Sequence, residues 1–407
     1  MPVITIFSGT FCRKEQVVEK LLSQTGYTLL SDKELVLKAS KVGEMAPNRI
    51  ERAFASRTSV FNKFTKEKER AITFLRVALA RALAHDNLLI PGFSTQLIPK
   101  TIDHILRVCL IAGTPFRVST ASADQSLSLK NATRLIHKQD ADNAAWVEHL
   151  LNMKDPWDAS LYDLVIPMDK TSVAKAVELI EENLAKEVVK PDEASRKAVE
   201  DFLLAANVEM ALARQGHHVN VNSTEGAVLI TINRQVLSLE KLEAELRSIA
   251  EKVSGVRSVE TRVGREFYQA DIYRKFDFEM PGKVLLVDDE REFVKTLSER
   301  LLMRDMGSVV AYNGESALDL VKSDEPEVMI LDLQMPGIDG IEVLRKVKET
   351  NPEIEVIILT GHGSDDDRKT CMELGAFAYL HKPVDIDVLS ETLKKANAKV
   401  RSATAAE

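Results

Sequence analysis

Val284-Leu-Leu-Val287 runs directly into Asp288-Asp289-Glu290, and the cadence returns at Val328-Met-Ile-Leu331-Asp332 and Val356-Ile-Ile-Leu359-Thr360. Four apolar residues followed by a polar one suit a strand buried on both faces whose carboxyl end reaches solvent. Helical patterns separate the runs, which predicts five β/α units between Lys283 and Asn397. A doubly wound parallel sheet of this kind carries its ligand site at the carboxyl ends of its strands. Right-handed crossovers bring those ends to one edge. Asp288, Asp289, Asp332, Thr360 and Lys382, which follows the fifth strand, are therefore expected to converge.

Three crowded carboxylates repel one another and resist ionisation. A hard divalent cation relieves this, and oxygen ligands suit Mg2+. A lysine opposite supplies a point charge for a phosphoryl oxygen, and a threonine hydroxyl supplies a hydrogen bond. Such a set suits phosphoryl transfer onto a carboxylate. The run Asp365-Asp366-Asp367 is read differently, as the first turn of a helix, where carboxylates favour the helix dipole.

The segment Lys283–Asn397 resembles a response-regulator receiver domain. The matching text is Val287-Asp288-Asp289-Glu290, Leu331-Asp332-Leu-Gln334-Met-Pro336-Gly-Ile-Asp-Gly340, Leu359-Thr360-Gly-His-Gly363 and Tyr379-Leu-His-Lys382-Pro383. The resemblance implies a flavodoxin-like (βα)5 fold with Asp332 as the phosphoacceptor. It further implies Mg2+ held by Asp288, Asp289, Asp332 and the backbone carbonyl of Gln334. Lys382 and Thr360 would contact the phosphoryl group, and Thr360 and Tyr379 would form the switch. A cis bond is expected before Pro383. The implied partner is a histidine kinase or a phosphotransfer protein.

Outward from this segment the rhythm changes. From Val3 to about Lys186, strand patterns at Val3–Phe7, Leu88–Pro91, Arg107–Ala112 and Tyr162–Met168 alternate with helical ones at Glu15–Gln24, Lys68–His85 and Ser172–Leu184. This alternation predicts a second parallel α/β sheet. Residues 1–188 resemble the cytidylate-kinase-like family of nucleoside monophosphate kinases. The resemblance rests on Ile4-Thr-Ile-Phe-Ser8, Tyr27-Thr-Leu-Leu-Ser-Asp32-Lys-Glu34, Leu88-Leu-Ile-Pro-Gly92, Leu106-Arg-Val-Cys-Leu-Ile111, Asp155-Pro-Trp157 and Tyr162-Asp-Leu-Val165. It implies a P-loop-kinase-like fold.

The phosphate loop departs from that family. Ser8-Gly9-Thr10-Phe11-Cys12-Arg13-Lys14-Glu15 keeps one glycine, with Lys14 where G-x-x-x-x-G-K-[ST] needs its second. Phe93 replaces the family's arginine after Gly92, and the lid region reads Lys138-Gln139-Asp140-Ala141-Asp142. Arg117 and Arg134 remain and read as ordinary surface arginines. A non-catalytic kinase-shaped module is expected, with Gly9 and Lys14 as a residual nucleotide or anion site, for ATP or another nucleotide.

Between the two lies an αββαβ pattern, 197–265, flanked by connectors at Lys186–Arg196 and Glu266–Gly282. It resembles a BON domain through Val219-Asn-Val221, Gly226-Ala-Val-Leu-Ile-Thr231 and Gly255-Val-Arg-Ser-Val259. The resemblance implies attachment to a phospholipid surface or a protein, and self-association or a protein partner is expected here. His217 and His218, adjacent on a strand, would point to opposite faces and cannot chelate one metal.

A length of 407 residues accommodates these three domains, 1–188, 197–265 and 283–397. The net charge is −8, and Lys283–Asn397 alone holds 14 Lys+Arg against 24 Asp+Glu. No dense basic face is present, so nucleic-acid binding is not expected. No apolar run reaches membrane-spanning length, and Met-Pro-Val-Ile-Thr-Ile-Phe reads as a strand, not a signal peptide. Three scattered cysteines fit a reducing cytoplasm. With about ten residues beyond Asn397, no output domain is expected downstream. The leading expectation is a phosphorelay response regulator. An active nucleotide kinase under receiver control and a non-enzymatic scaffold are the alternatives.

Overall fold

The computed structural model describes all residues except 1, 237, 265, 266, 268–279, 362 and 405–407. Most of the connector expected over Glu266–Gly282 therefore lies outside the described residues. The chain forms two compact units: Met1–Thr58 with Glu67–Arg274, and Ser59–Lys66 with Lys275–Glu407.

The first unit is built on β1 (Val3–Ser8), β2 (Thr28–Leu29), β3 (Leu88–Pro91), β4 (Ile105–Ile111) and β5 (Leu164–Pro167), in the order β2-β3-β1-β4-β5. All neighbours pair in parallel. Val3, Ile4, Ile6 and Phe7 of the central strand are buried, as is Thr5 between them, which is why the run is apolar but for that one residue. Ile4 and Ile6 belong to one core layer with Val17, Leu21 and Ile180, while Val3 belongs to another with Leu35, Leu75 and Trp146. Capping sets the helix starts. The helix Asp32–Gly43 opens with a reciprocal Ser31–Glu34 capping box.

The same unit continues into β6 (Asn220–Thr224), β7 (Ala227–Ile232) and β8 (Ser258–Val263). The first pair is antiparallel and the second parallel, giving a mixed sheet. Two expectations need correction here. Part of Lys186–Arg196 is helical rather than linker, because Asp192 and Ser195 form a capping box that starts the helix Glu193–Arg214. This helix gives Val199 and Phe202 to the core layer around Trp146, and Val208 and Leu212 to the layer around Ile230. His217 and His218 precede the strand, which starts only at Asn220, and His217 Nε2 lies 3.3 Å from Glu245.

The second unit carries β9 (Val284–Val287), β10 (Ser308–Ala311), β11 (Val328–Leu331), β12 (Glu355–Thr360) and β13 (Ala378–His381). Their order is β10-β9-β11-β12-β13, parallel throughout, as expected of a flavodoxin-like sheet. β9, β11 and β12 are buried along their whole length. Leu285, Val287, Met329 and Leu331 face one core layer, while Val284, Leu286, Val328 and Ile330 face the other. Asp365–Asp367 form the first turn of the helix Asp365–Glu373, as expected.

Phe61, from the upstream segment of this unit, is completely buried in the layer with Leu285, Val287 and Ala311. Phe64 of the same segment lies so close to Gly307 that a Cβ there would come within 2.0 Å of its ring. No helix among the described residues is long and apolar enough to cross a membrane.

Candidate functional site

Strand register assembles the acidic edge of the second unit. Val287 pairs with Leu331, so Asp288 and Asp332 emerge side by side from β9 and β11. Thr360 pairs with His381, so Lys382 leaves β13 beside the end of β12, and its amide donates to the Thr360 carbonyl at 2.9 Å. Each of Asp288, Asp289 and Asp332 offers a carboxylate oxygen, and these atoms lie within 4.8 Å of one another. Asp288 and Asp332 are buried, Asp289 is exposed, and Thr360 is fully buried.

Lys382 ties the cluster together. Its Nζ lies 2.7 Å from Asp288 Oδ2, 3.1 Å from Asp332 Oδ2 and 3.0 Å from Glu290 Oε1. Burial disfavours the ammonium, but the bonds to Asp288 and Glu290 and the nearby negative charge outweigh it, and Lys382 stays charged above the ordinary lysine range. Burial also dominates at Asp288, raising its pKa despite the bonds from Lys382 and from the Glu290 amide. Asp332 Oδ1 accepts from the Leu333 amide at 2.7 Å, which aims the second oxygen at Lys382. The helix Gly340–Thr350 starts against this turn, and a Cβ on Gly340 would come within 2.1 Å of the Asp332 carbonyl oxygen.

The oxygen donor set and its crowding fit a hard divalent cation of the Mg2+ kind. Gln334 follows Asp332 in the same turn, before the helix starting at Gly340. Tyr379 is nearly buried in β13, and its hydroxyl has no hydrogen-bond partner among the described residues. Gly363 leaves room for that hydroxyl, since a Cβ there would lie 1.6 Å from it. The Lys382-Pro383 bond is cis, as expected. Glu290, quoted with the acidic pair but given no role there, and the Phe293 ring, 4.6 Å from Lys382 Nζ, also border the cluster. For Glu290 the available signal is its place directly after the acidic pair.

The first unit holds a second cleft of about 560 Å³ beside Gly9 and Lys14, lined also by Arg13, Glu15, Asp32, Phe93, Asp124 and Asp142. The loop curls without the glycines such a curl favours: Phe11 (φ 61°) and Arg13 (φ 56°) both take the left-handed conformation. Each such residue costs about 1–3 kcal/mol, held in place by its surroundings. The Gly9 amide donates to the Leu110 carbonyl, and Lys14 Nζ lies 3.5 Å from Glu15. Arg117 is buried, contrary to its reading as a surface residue. It makes a bidentate pair with Asp140 (2.7 and 2.8 Å) and donates from Nε to the Thr10 carbonyl. Burial pushes the neighbouring Cys12 thiol up to about 12, so it is no nucleophile at neutral pH.

Asp32 is a structural anchor of this cleft. Its carboxylate accepts from the Phe93 and Ser94 amides at 2.8 and 3.0 Å. Gly92 (φ 117°) permits this, because a Cβ there would lie 2.0 Å from the carboxylate. Phe93 stacks on Phe54 at 5.2 Å and gives its carbonyl to Trp146 Nε1 at 2.8 Å. An apolar wall thus stands at the family's arginine position.

Residues 284–394 match the response regulator receiver domain family, and residues 3–170 match the cytidylate kinase-like family. The chain is 38% identical over 116 residues to sporulation initiation phosphotransferase F of Bacillus subtilis, covering 28% of this chain and 94% of that protein. It is 35% identical over 125 residues to response regulator MprA of Mycolicibacterium vanbaalenii, covering 31% of this chain and 53% of that one. Identity to transcriptional regulatory protein CpxR of Escherichia coli is 45% over 102 residues, covering 25% of this chain and 43% of CpxR. The chain thus spans about half the length of MprA and of CpxR. Among solved structures, a response regulator receiver domain protein from Clostridium thermocellum shares 32% identity, covering 30% of this chain and 98% of that one, with a TM-score of 0.29.

Proposed function

Because this chain belongs to the response-regulator receiver family, we propose that it is a two-component phosphorelay response regulator that accepts a phosphoryl group on Asp332. The observation that carries this reading is the convergence of Asp288, Asp289 and Asp332 on Lys382. The donor is a histidine kinase or a phosphotransfer protein. Asp288, Asp289, Asp332 and the Gln334 carbonyl would hold Mg2+, which when bound neutralises charge on the phosphoryl oxygens.

The chain's own residues do the rest. Asp332 attacks phosphorus with the carboxylate oxygen that the Leu333 amide leaves free, and the leaving group departs with its bonding electrons. Lys382 exchanges its bond to Asp332 for one to a phosphoryl oxygen, and the Thr360 hydroxyl binds another. The space beside Tyr379 then changes, and its ring follows Thr360 inward. Beryllofluoride with Mg2+ should therefore slow amide exchange around Thr360 and Tyr379. Lys382→Ala should weaken that response at least about tenfold in beryllofluoride concentration, as expected for losing one charge-assisted contact. An unchanged response would remove Lys382 from this role.

The kinase-like part of the first unit works in this proposal as a non-catalytic sensor or output module. The αββαβ part, 197–265, is its BON-like appendage for self-association or a protein partner, and the protein acts in the cytoplasm. Phosphoryl transfer between nucleotides depends on preorganised donors around the phosphates. The cleft instead presents Glu15, Asp32, Asp124 and Asp142 with only Arg13 and Lys14 against them. ADP release from ATP with CMP or dCMP should stay far below about 1 s⁻¹, the low end of enzyme turnover. Turnover at that rate, lost in Lys14→Ala, would make the first unit a working kinase.

A further inference from the structure

We infer that Asp140 is a built-in anion that occupies Arg117, the buried guanidinium beside Gly9, and so keeps phosphate ligands from it. The inference rests on the non-catalytic reading above and supplies its physical cause. Asp140 lies on the continuous helix Leu129–Leu151 and grips both terminal nitrogens of Arg117, at 2.7 and 2.8 Å. This fork-to-carboxylate geometry is the one a guanidinium also offers to a phosphate. The third guanidinium nitrogen, Nε, is spent on the Thr10 carbonyl at 2.8 Å. Arg117 lies against the phosphate-loop position itself, for a Cβ on Gly9 would sit 3.4 Å from its guanidinium carbon.

Two further contacts press the same helix onto its neighbours. Gln139 hydrogen-bonds the Thr10 hydroxyl, and Asp142 accepts from the Ser56 amide at 2.7 Å. The other two cations at the loop are engaged as well. The Arg13 guanidinium lies 5.0 Å over the Phe116 ring, and Lys14 faces Glu15. A phosphate that reaches Arg117 must displace a carboxylate already in bidentate contact with it. Deleting that carboxylate would leave the arginine buried and uncompensated, which favours uptake of another anion.

The test uses the full chain, with pyrophosphate and ATP as probes in calorimetric titrations. Wild type should bind neither measurably at millimolar concentration. Asp140→Asn keeps one acceptor oxygen for Arg117 and loses the charge, so pyrophosphate affinity should rise at least about tenfold. The double variant Arg117→Gln, Asp140→Asn should lose that gain. If Asp140→Asn is too unstable to titrate, pyrophosphate should raise its melting temperature and leave that of wild type unchanged. A folded Asp140→Asn that binds no better than wild type, a gain that persists in the double variant, or an unstable variant that pyrophosphate does not rescue would each overturn the inference. ADP release by wild type would overturn the non-catalytic reading instead, and the two failures are separately visible.

Discussion

Acetyl phosphate with Mg2+ should add one phosphoryl group to the full chain, and none to Asp332→Asn. The substitution is nearly isosteric. The amide oxygen still accepts from the Leu333 amide, the contact Asp332 Oδ1 makes at 2.7 Å. The fold and the neighbouring Asp288–Lys382 pair at 2.7 Å therefore survive, and loss of labelling reports chemistry rather than unfolding. What disappears is the nucleophile, because an amide oxygen does not attack phosphorus at a useful rate. Asp288 does not take over, since it already engages Lys382 through Oδ2 and the Glu290 amide through Oδ1. Intact-mass measurement on the two proteins decides the matter. Equal labelling would move the phosphoacceptor elsewhere.

Trp146→Ala should cost the first unit about 3–5 kcal/mol, the usual range for emptying a large aromatic site. Trp146 is completely buried. Its ring meets Phe54 edge-on at 5.0 Å and Phe93 at 6.3 Å, and its Nε1 donates to the Phe93 carbonyl. Alanine loses the packing and leaves a part-buried carbonyl without its donor. Trp146→Phe should fall in between, since it restores most of the ring volume but not the hydrogen bond. The chain has two tryptophans, so in either variant Trp157 alone reports unfolding of the first unit in urea. A loss under about 1 kcal/mol for alanine would mean that the cavity collapses, and that Trp146 does not pin its helix to the turn after Gly92.

Local physics explains which features are legible in the sequence. Val284–Val287, Val328–Leu331 and Val356–Leu359 are short, wholly apolar and followed by polar residues, so the sheet and its acidic edge can be read directly. The Asp365–Asp367 turn is legible for a similar reason, since Ser364 caps it three residues before Asp367. β2 is not legible, because two exposed residues, Thr28 and Leu29, carry no periodicity. The curl at Phe11 and Arg13 is hidden because residue type argues against it, and only tertiary context imposes it. Arg117 looks like any exposed arginine until the fold brings Asp140 to it across 23 positions of chain. Glu290 stands in plain view beside the acidic pair, but its contact with Lys382 depends on a strand end 92 positions away.

The burial of Phe61 among Leu285, Val287 and Ala311 also sets a timetable. A ribosome adds about 5–20 residues per second, so roughly 10–45 s separate the synthesis of Phe61 from that of Leu285. Throughout that interval the apolar surface of Phe61 and Phe64 has no final resting place. The stretch between them, Glu67–Arg274, belongs to the first unit, so folding of that unit leaves Ser59–Lys66 to a partner not yet made. The second unit cannot complete its core until both stretches of chain exist, because it must retrieve a strip of early chain. A fragment cut at Lys283 would lack that strip altogether, and the core layer holding Leu285, Val287 and Ala311 would be left without Phe61.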